Sequence, residues 1–292
     1  MVLPADKNAP QKGTIVRGVS ILLAYGHFKW SDFKMGSHES ARFKVFLDQA
    51  VKDGKIKTGK WRKSTWIGFA VLSRLVSSYL SHNIKHGSLN WDITIAKCLS
   101  LVLISALGAR SGDVARSLHY KGQEYLQWRH VQLHLVGSQP SLANVRATIT
   151  LQYQKFHKIA DNKEAVYYLS PLGTAEHNHM CPIAWLLVHA LRHSLVADET
   201  LQGVLDRAFA RSDRQIEWLY PERPVLAAFD QKLALHIDLD RPATVHQPLE
   251  ATKQMGVIAG MLDRAYTHAL RFGHARDVAQ LPISIGNNTE NV

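Results

Sequence analysis

Cysteine is scarce in this chain: Cys98 and Cys181 are the only two among 292 residues, far apart and in no CxxC spacing. That excludes a disulfide scaffold and suits a reducing compartment in which both thiols are buried packing residues. Long apolar runs are missing too. The longest, around residues 96–109, is interrupted by Ser100 and Ser105 and is too short to span a bilayer. The first residues, Met-Val-Leu-Pro-Ala-Asp-Lys, have no apolar core of the kind a secretory leader carries. A soluble intracellular protein without membrane association is therefore expected, nuclear if the source is eukaryotic. Acidic residues are sparse in one region only. Residues 1–90 hold five Asp/Glu against fifteen Lys/Arg, whereas residues 91–292 hold nineteen against twenty.

Almost all of the formal net charge of +11 thus sits in the first third of the chain. A cationic module joined to a near-neutral remainder suits a polyanionic partner, because neutralising phosphates releases condensed counterions. The alternative is a basic surface kept for solubility. A membrane surface fits less well, since the basic residues form no amphipathic face with a lipid-facing stripe. The densest cluster is Lys55, Lys57, Lys60, Arg62 and Lys63, in a loop that also carries Trp61. These five cations are the candidate DNA-binding residues, and Trp61 is placed to rest against the duplex. The tryptophans are otherwise expected mostly in the core.

Apolar spacing of three and four residues predicts helices in the first 107 residues. Phe43, Phe46, Leu47, Ala50 and Val51 share one face, ended by Gly54. Leu72, Leu75, Val76, Tyr79 and Leu80 repeat the pattern after a cap at Ser64 or Thr65. A shorter helix is expected over residues 18–26, and Asp92 is the expected cap of a helix whose Leu99, Val102, Leu103, Ala106 and Leu107 form one face. A boundary falls near His-Gly-Ser-Leu-Asn at 86–90. Alternation then takes over: Val131, Leu133 and Leu135, residues 148–153 and residues 165–169 predict three short strands of an antiparallel sheet. Helical spacing returns at 182–196, about 200–210 and about 248–265, with Pro182 in a first-turn position. The expected fold class is α+β, mainly α with a small antiparallel β-sheet.

Three elements carry chemistry suited to a phosphodiester. Arg110 lies in Gly-Ala-Arg-Ser-Gly-Asp, where Gly108 and Gly112 allow a tight turn after an apolar helix and Asp113 can cap the next one. Arginine suits a phosphate cradle because its planar fork bonds two oxygens and keeps its proton. His268 and Arg271, three residues apart, face the same way on one helical turn. Lys155, at the end of a predicted strand and entering a hairpin, is placed to reach a scissile phosphate as general acid, with Lys158 the competing choice. Each element alone is also what a solvated surface looks like. His274 continues the helix face three residues beyond Arg271 and reads as a neighbour of the site.

The order of the three is more specific. A Leu-Gly-x-Arg-x-Gly-Asp turn, a sheet with K-x-x-K at its hairpin and then HxLR resembles the tyrosine recombinase (phage-integrase) superfamily. Residues 124–131, Glu-Tyr-Leu-Gln-Trp-Arg-His-Val, look like that family's approach to its first strand. The resemblance covers roughly residues 92–285, and its flavour is most like the divergent recombinases of fungal mobile elements. It implies a two-domain clamp on double-stranded DNA, with residues 1–90 a helical core-binding domain and 91–292 the catalytic domain. It implies site-specific recombination or integration with Arg110, Lys155, His268 and Arg271 as catalytic residues. No cofactor and no metal are expected, and a homo-oligomer on DNA is the expected assembly.

One feature departs from that pattern. Family members place a second His or Trp, and then the nucleophilic tyrosine, beyond the HxxR arginine; the 21 residues after Arg271 contain no tyrosine and no such His or Trp in place. Tyr266 precedes His268 by two and points elsewhere on the helix. A phenol is needed because its oxygen attacks phosphorus to form the covalent intermediate. A chain incomplete at its C-terminus, without cleavage competence, is expected; the alternative is a non-catalytic DNA-binding protein derived from a mobile-element recombinase. An unrelated basic RNA-binding protein is a third possibility. His177, His179 and Cys181 lie within five residues but lack the distant partner pair of a structural zinc site.

The charge division predicts that duplex binding is steeply salt-dependent and resides largely in residues 1–90. Each neutralised phosphate adds about −0.9 to the slope of log K against log salt. Titrating the 1–90 fragment with duplex at several salt concentrations measures that slope, and a flat response removes the electrostatic reading.

Overall fold

Helices dominate and a small antiparallel sheet is set among them. The computed structural model describes residues 9–58, 66–117, 124–152, 164–229, 236–261 and 265–281. Its contacts separate into two units, Met1–Ser64 and Thr65–Val292.

The smaller unit contains α1 (Lys12–Lys29) and α2 (Ser37–Lys52). Its core is small: Leu47, Ala50 and Ile56 are buried, with Ile15, Phe43 and Val51 packed on them. The expected helix at 18–26 is the middle of the longer α1. Phe46, assigned from its spacing to the apolar face of α2, is exposed instead. A Lys12–Asp48 ion pair ties the two helices. Backbone bonds from Lys12 N to Lys57 O (2.9 Å) and from Lys57 N to Pro10 O (3.1 Å) hold the segment after α2 beside the start of α1.

The larger unit begins its helices with α3 (Phe69–His86) and α4 (Trp91–Ala106). The 86–90 segment, expected to be a boundary, coincides with the turn between these two helices. Leu72, Leu75, Val76 and Tyr79 are buried on α3 as the spacing requires. Ser64 and Thr65, the expected caps, lie outside the described residues; α3 starts at Phe69 with Gly68 in the capping position. The cap comes from a distant side chain: Phe69 N donates to Asp277 Oδ2 at 2.7 Å. On α4 the cap is Asn90, whose Oδ1 accepts from Asp92 N (2.7 Å) and Ile93 N (3.4 Å), rather than Asp92. Burial on α4 extends from Ile93 to Ile104 with only Lys97 half-exposed, far wider than one face. A helix apolar on all sides is surrounded, and α4 touches α3, α6 (Pro182–Arg192), α8 (His246–Ile258) and α9 (Thr267–Ala279).

Strands β1 (Val131–Leu135), β2 (Val145–Leu151) and β3 (Ala165–Leu169) form an antiparallel sheet in chain order, with Leu133 opposite Ala147 and Ile149 opposite Tyr167. Inward residues alternate along β1 and β2, so period-two spacing found this sheet, although β2 begins at Val145, three residues before the expected start, and the expected end at 153 lies outside the described residues. It did not find a second hairpin, β4 (Ala227–Phe229) with β5 (Ile237–Pro242). Ala227, Ala228 and Phe229 are all buried, leaving no alternation to detect. Helix α7 (Leu201–Ala210) lies where expected, and Pro182 opens α6 in its first turn.

Both cysteines are free and buried, and burial pushes the Cys98 thiol up to about 12. Trp128 and Trp185 are buried and Trp218 packs against the core, but Trp30, Trp66 and Trp91 are exposed, against the expectation of a core role. Trp61 lies outside the described residues. Trp128 is the largest fully buried side chain, stacked on His189, which in turn meets His193 edge-on. Both ring nitrogens of His189 lack a hydrogen-bond partner. No helix among the described residues is long and apolar enough to cross a membrane.

The buried imidazole makes stability depend on acid. Burial, reinforced by the neighbouring His193, holds His189 down at about 3, against 6.5 for a free side chain. His193 and His130 are depressed by burial as well. In this pH range the unfolded chain binds protons that the folded chain refuses, so stability is full above about pH 6.5 and falls as the pH drops towards 3. For His189 the expected loss is about 1.4 kcal/mol per pH unit across this range. His189→Leu should flatten this limb and leave stability at pH 7 unchanged or raised, since two unpartnered buried nitrogens disappear. Urea unfolding between pH 4 and 7 measures it; an unchanged slope in the variant refutes the assignment.

Candidate functional site

The site grows from how α4 ends. Gly108 N donates to Ser105 O (3.0 Å) and Ala109 N to Ile104 O (3.2 Å), a closure that needs the left-handed φ of +54° at Gly108. Arg110 follows with extended backbone and opens the short helix α5 (Ser111–Val114). Its N–H donates to Asp113 Oδ2 (3.0 Å) while its carbonyl accepts from Asp113 N (2.9 Å). Asp113, expected as a cap, is the reciprocal partner of the capping residue Arg110, and it is buried. Further on, Arg116 N donates to Ala243 O and Val245 N to Arg116 O, which ties the turn to the approach of α8. The result is a half-buried arginine on a turn locked at both ends.

Helix α9 supplies the second cation. His268 is exposed, with its ring edge-on to Phe272 at 4.7 Å, and Arg271 is half-buried. The next residue on that face, His274, lies against the turn of Arg110: a Cβ added to Gly108 would stand 2.5 Å from His274 Cδ2 and 3.0 Å from Nε2. Strand β3 approaches the same place. Burial raises the pKa of the Tyr167 phenol, the Asp113 carboxylate raises it further and the Arg271 guanidinium opposes that rise, so both charged groups act on this one ring. The Arg110 turn, the Arg271 face of α9 and Tyr167 therefore share one neighbourhood. Among the described residues neither guanidinium has a hydrogen bond or an ion pair to a carboxylate. Such a pair can accept a phosphate without first breaking an internal contact.

The other expected residues are placed differently. Lys155, its competitor Lys158 and the hairpin carrying them lie outside the described residues, as do Lys60, Arg62 and Lys63. Lys55 is exposed and pairs with Asp53 at 3.6 Å, and Lys57 is half-buried and held through its backbone. Both belong to the smaller unit. His179 Nε2 lies 2.8 Å from Ser73 Oγ and the His177 ring stacks on Phe69 at 5.3 Å. No group of three metal-ligating side chains exists among the described residues.

Sequence reasoning left Tyr167 out. Its place on the inward side of β3 was legible from alternation, but nothing local links that strand to Asp113 or Arg271. His274 was read only as a bystander. No protein-family model matches the chain, and no curated protein matches it either.

The Gly108–His274 approach is open to test. Gly108→Ala should cost about 1–3 kcal/mol, through the strained positive φ together with the steric conflict. His274→Ala removes the conflict but not the strain, so the double variant should recover part of the loss. Chemical denaturation of both single variants and the double gives the coupling. Strict additivity means the two residues do not meet.

Proposed function

We propose that this chain is a DNA-binding protein of the tyrosine recombinase type, acting in site-specific recombination or integration, with Arg110 and Arg271 grasping one backbone phosphate. The observation that carries this reading is the approach of His274 to Gly108. It supports placing the Arg110 turn beside the face of α9 that carries Arg271, and neither arginine has a carboxylate partner among the described residues. Two guanidinium groups directed at one phosphate stabilise the charge that grows on its oxygens when the phosphodiester is attacked. His268, one helical turn before Arg271, is the candidate proton carrier, and Lys155 the candidate acid for the leaving hydroxyl.

In this reading double-stranded DNA is the partner, held by a two-domain clamp, and copies of the chain assemble on it inside the cell, in the nucleus of a eukaryote. Residues 1–90, with fifteen basic side chains, supply most of the non-specific grip. The arginine pair fixes which phosphate is engaged.

Fluorescence anisotropy with a duplex tests the pair. Arg110→Ala and Arg271→Ala should each weaken binding several-fold, and losing both should reduce the salt slope by about 0.9, the share of one phosphate. Combined, they should lose less than the sum, because both act at one phosphate. Wild-type affinity in both variants overturns the reading. On a nicked suicide substrate the 292-residue polypeptide should bind without forming a covalent adduct, since no tyrosine follows Arg271. An adduct abolished by Tyr266→Phe would instead identify Tyr266 as the nucleophile.

A further inference from the structure

Away from the arginine pair, a cavity of about 240 Å³ opens between α3, α4 and the end of α8. Its wall includes Tyr79, His82, Asn83, Thr94, Lys97 and Gln254, and Leu89, 92% exposed, stands at its rim. Most of the polar groups bond to one another. Asn83 Nδ2 donates to the Tyr79 carbonyl (2.7 Å), Thr94 Oγ1 lies 2.9 Å from Ser88 Oγ, and Lys97 Nζ donates to Gln254 Oε1 (2.8 Å).

Lys97 is the exception in charge. It is the only residue from Ile93 to Ile104 that is not buried, and its ammonium stands between the rings of Tyr79 (5.9 Å) and Phe229 (5.7 Å). Among the described residues its one hydrogen-bond partner is a neutral carboxamide, and it has no carboxylate within ion-pair distance. A half-buried cation with ring faces and one amide for company is poorly solvated. Consistent with that, burial holds the Lys97 pKa below the ordinary lysine value. An alkyl side chain would fill the same helix position without this cost, which the bond to Gln254 and the two ring faces offset only in part.

We propose that the cavity between α3, α4 and α8 binds a small oxyanion-bearing molecule, with Lys97 as its counter-ion and the hydroxyl and amide groups of Thr94, Asn83 and Gln254 beside it. The volume exceeds what inorganic phosphate needs, so the natural ligand carries further atoms, and the rings of Tyr79 and His82 offer them an apolar wall. Phosphate esters and carboxylates share the chemistry Lys97 recognises. The proposal is independent of the recombinase reading, because neither Arg110 nor Arg271 lines this cavity.

The test is thermal unfolding of the full chain and of Lys97→Met, with inorganic phosphate, acetate or chloride at matched ionic strength. Without phosphate or acetate, Lys97→Met should melt at the same temperature as wild type or higher, because a poorly solvated charge has gone. A lysine kept for packing or for its bond to Gln254 would give the opposite sign. With phosphate or acetate well above its dissociation constant, the wild type should gain on the order of 5 °C over chloride, and Lys97→Met should gain nothing. The arm with the larger shift tells phosphate esters from carboxylates. A destabilised Lys97→Met, or equal responses of both proteins to each anion, overturns the proposal. So does displacement of bound phosphate by a duplex, which would assign Lys97 to the DNA surface.

Discussion

The larger unit depends on one close approach of backbone to backbone. A Cβ on Gly273 would stand 2.0 Å from the Ile67 carbonyl oxygen, so only glycine lets α9 settle on the extended segment before α3. Around that contact Ile67 N donates to Ala269 O at 2.9 Å and the Asp277 carboxylate caps α3. Three successive turns of α9 are thus clamped to one short stretch of chain. The helix cannot rotate or slide without losing all of these contacts together, which fixes the direction of Arg271 and the depth of His274.

The opposing half of the site is rigid for a different reason. Helix α4 is enclosed by four other helices and tolerates little movement, because a close-packed interior transmits displacement rather than absorbing it. The Arg110 turn leaves the end of this helix through a left-handed glycine and is closed again by two bonds with Asp113. Its guanidinium is therefore carried on a stiff post, while Arg271 is carried on a clamped one.

How much of this was legible in the sequence follows from the range of the interactions. His268 and Arg271 are three residues apart, so helical periodicity alone puts them on one face. Gly108, Gly112 and Asp113 mark the Arg110 turn by local chemistry, and the first sheet shows itself through Val131, Leu133 and Leu135. What was illegible acts over distance. The cap of α3 is supplied by Asp277, 208 residues away, so Ser64 and Thr65 were better local candidates. Tyr167 has no sequence signal tying it to Asp113. The β4 strand fails for another reason, since burial on both sides erases the alternation by which strands are recognised. Phe46 shows the converse, an apolar residue in phase with a buried face yet exposed, because the small unit has too little core to cover it.

The distant cap also orders events during synthesis. Helix α3 is made early, but the carboxylate that closes its first turn and the backbone that receives Ile67 belong to a helix translated some two hundred residues later. Until α9 emerges from the ribosome, the start of α3 lacks its cap and the Arg110 turn lacks the imidazole that packs on it. A nascent chain therefore holds only one of the two arginines, on a turn not yet braced by α9. The surroundings of this turn are thus completed only once α9 has been made.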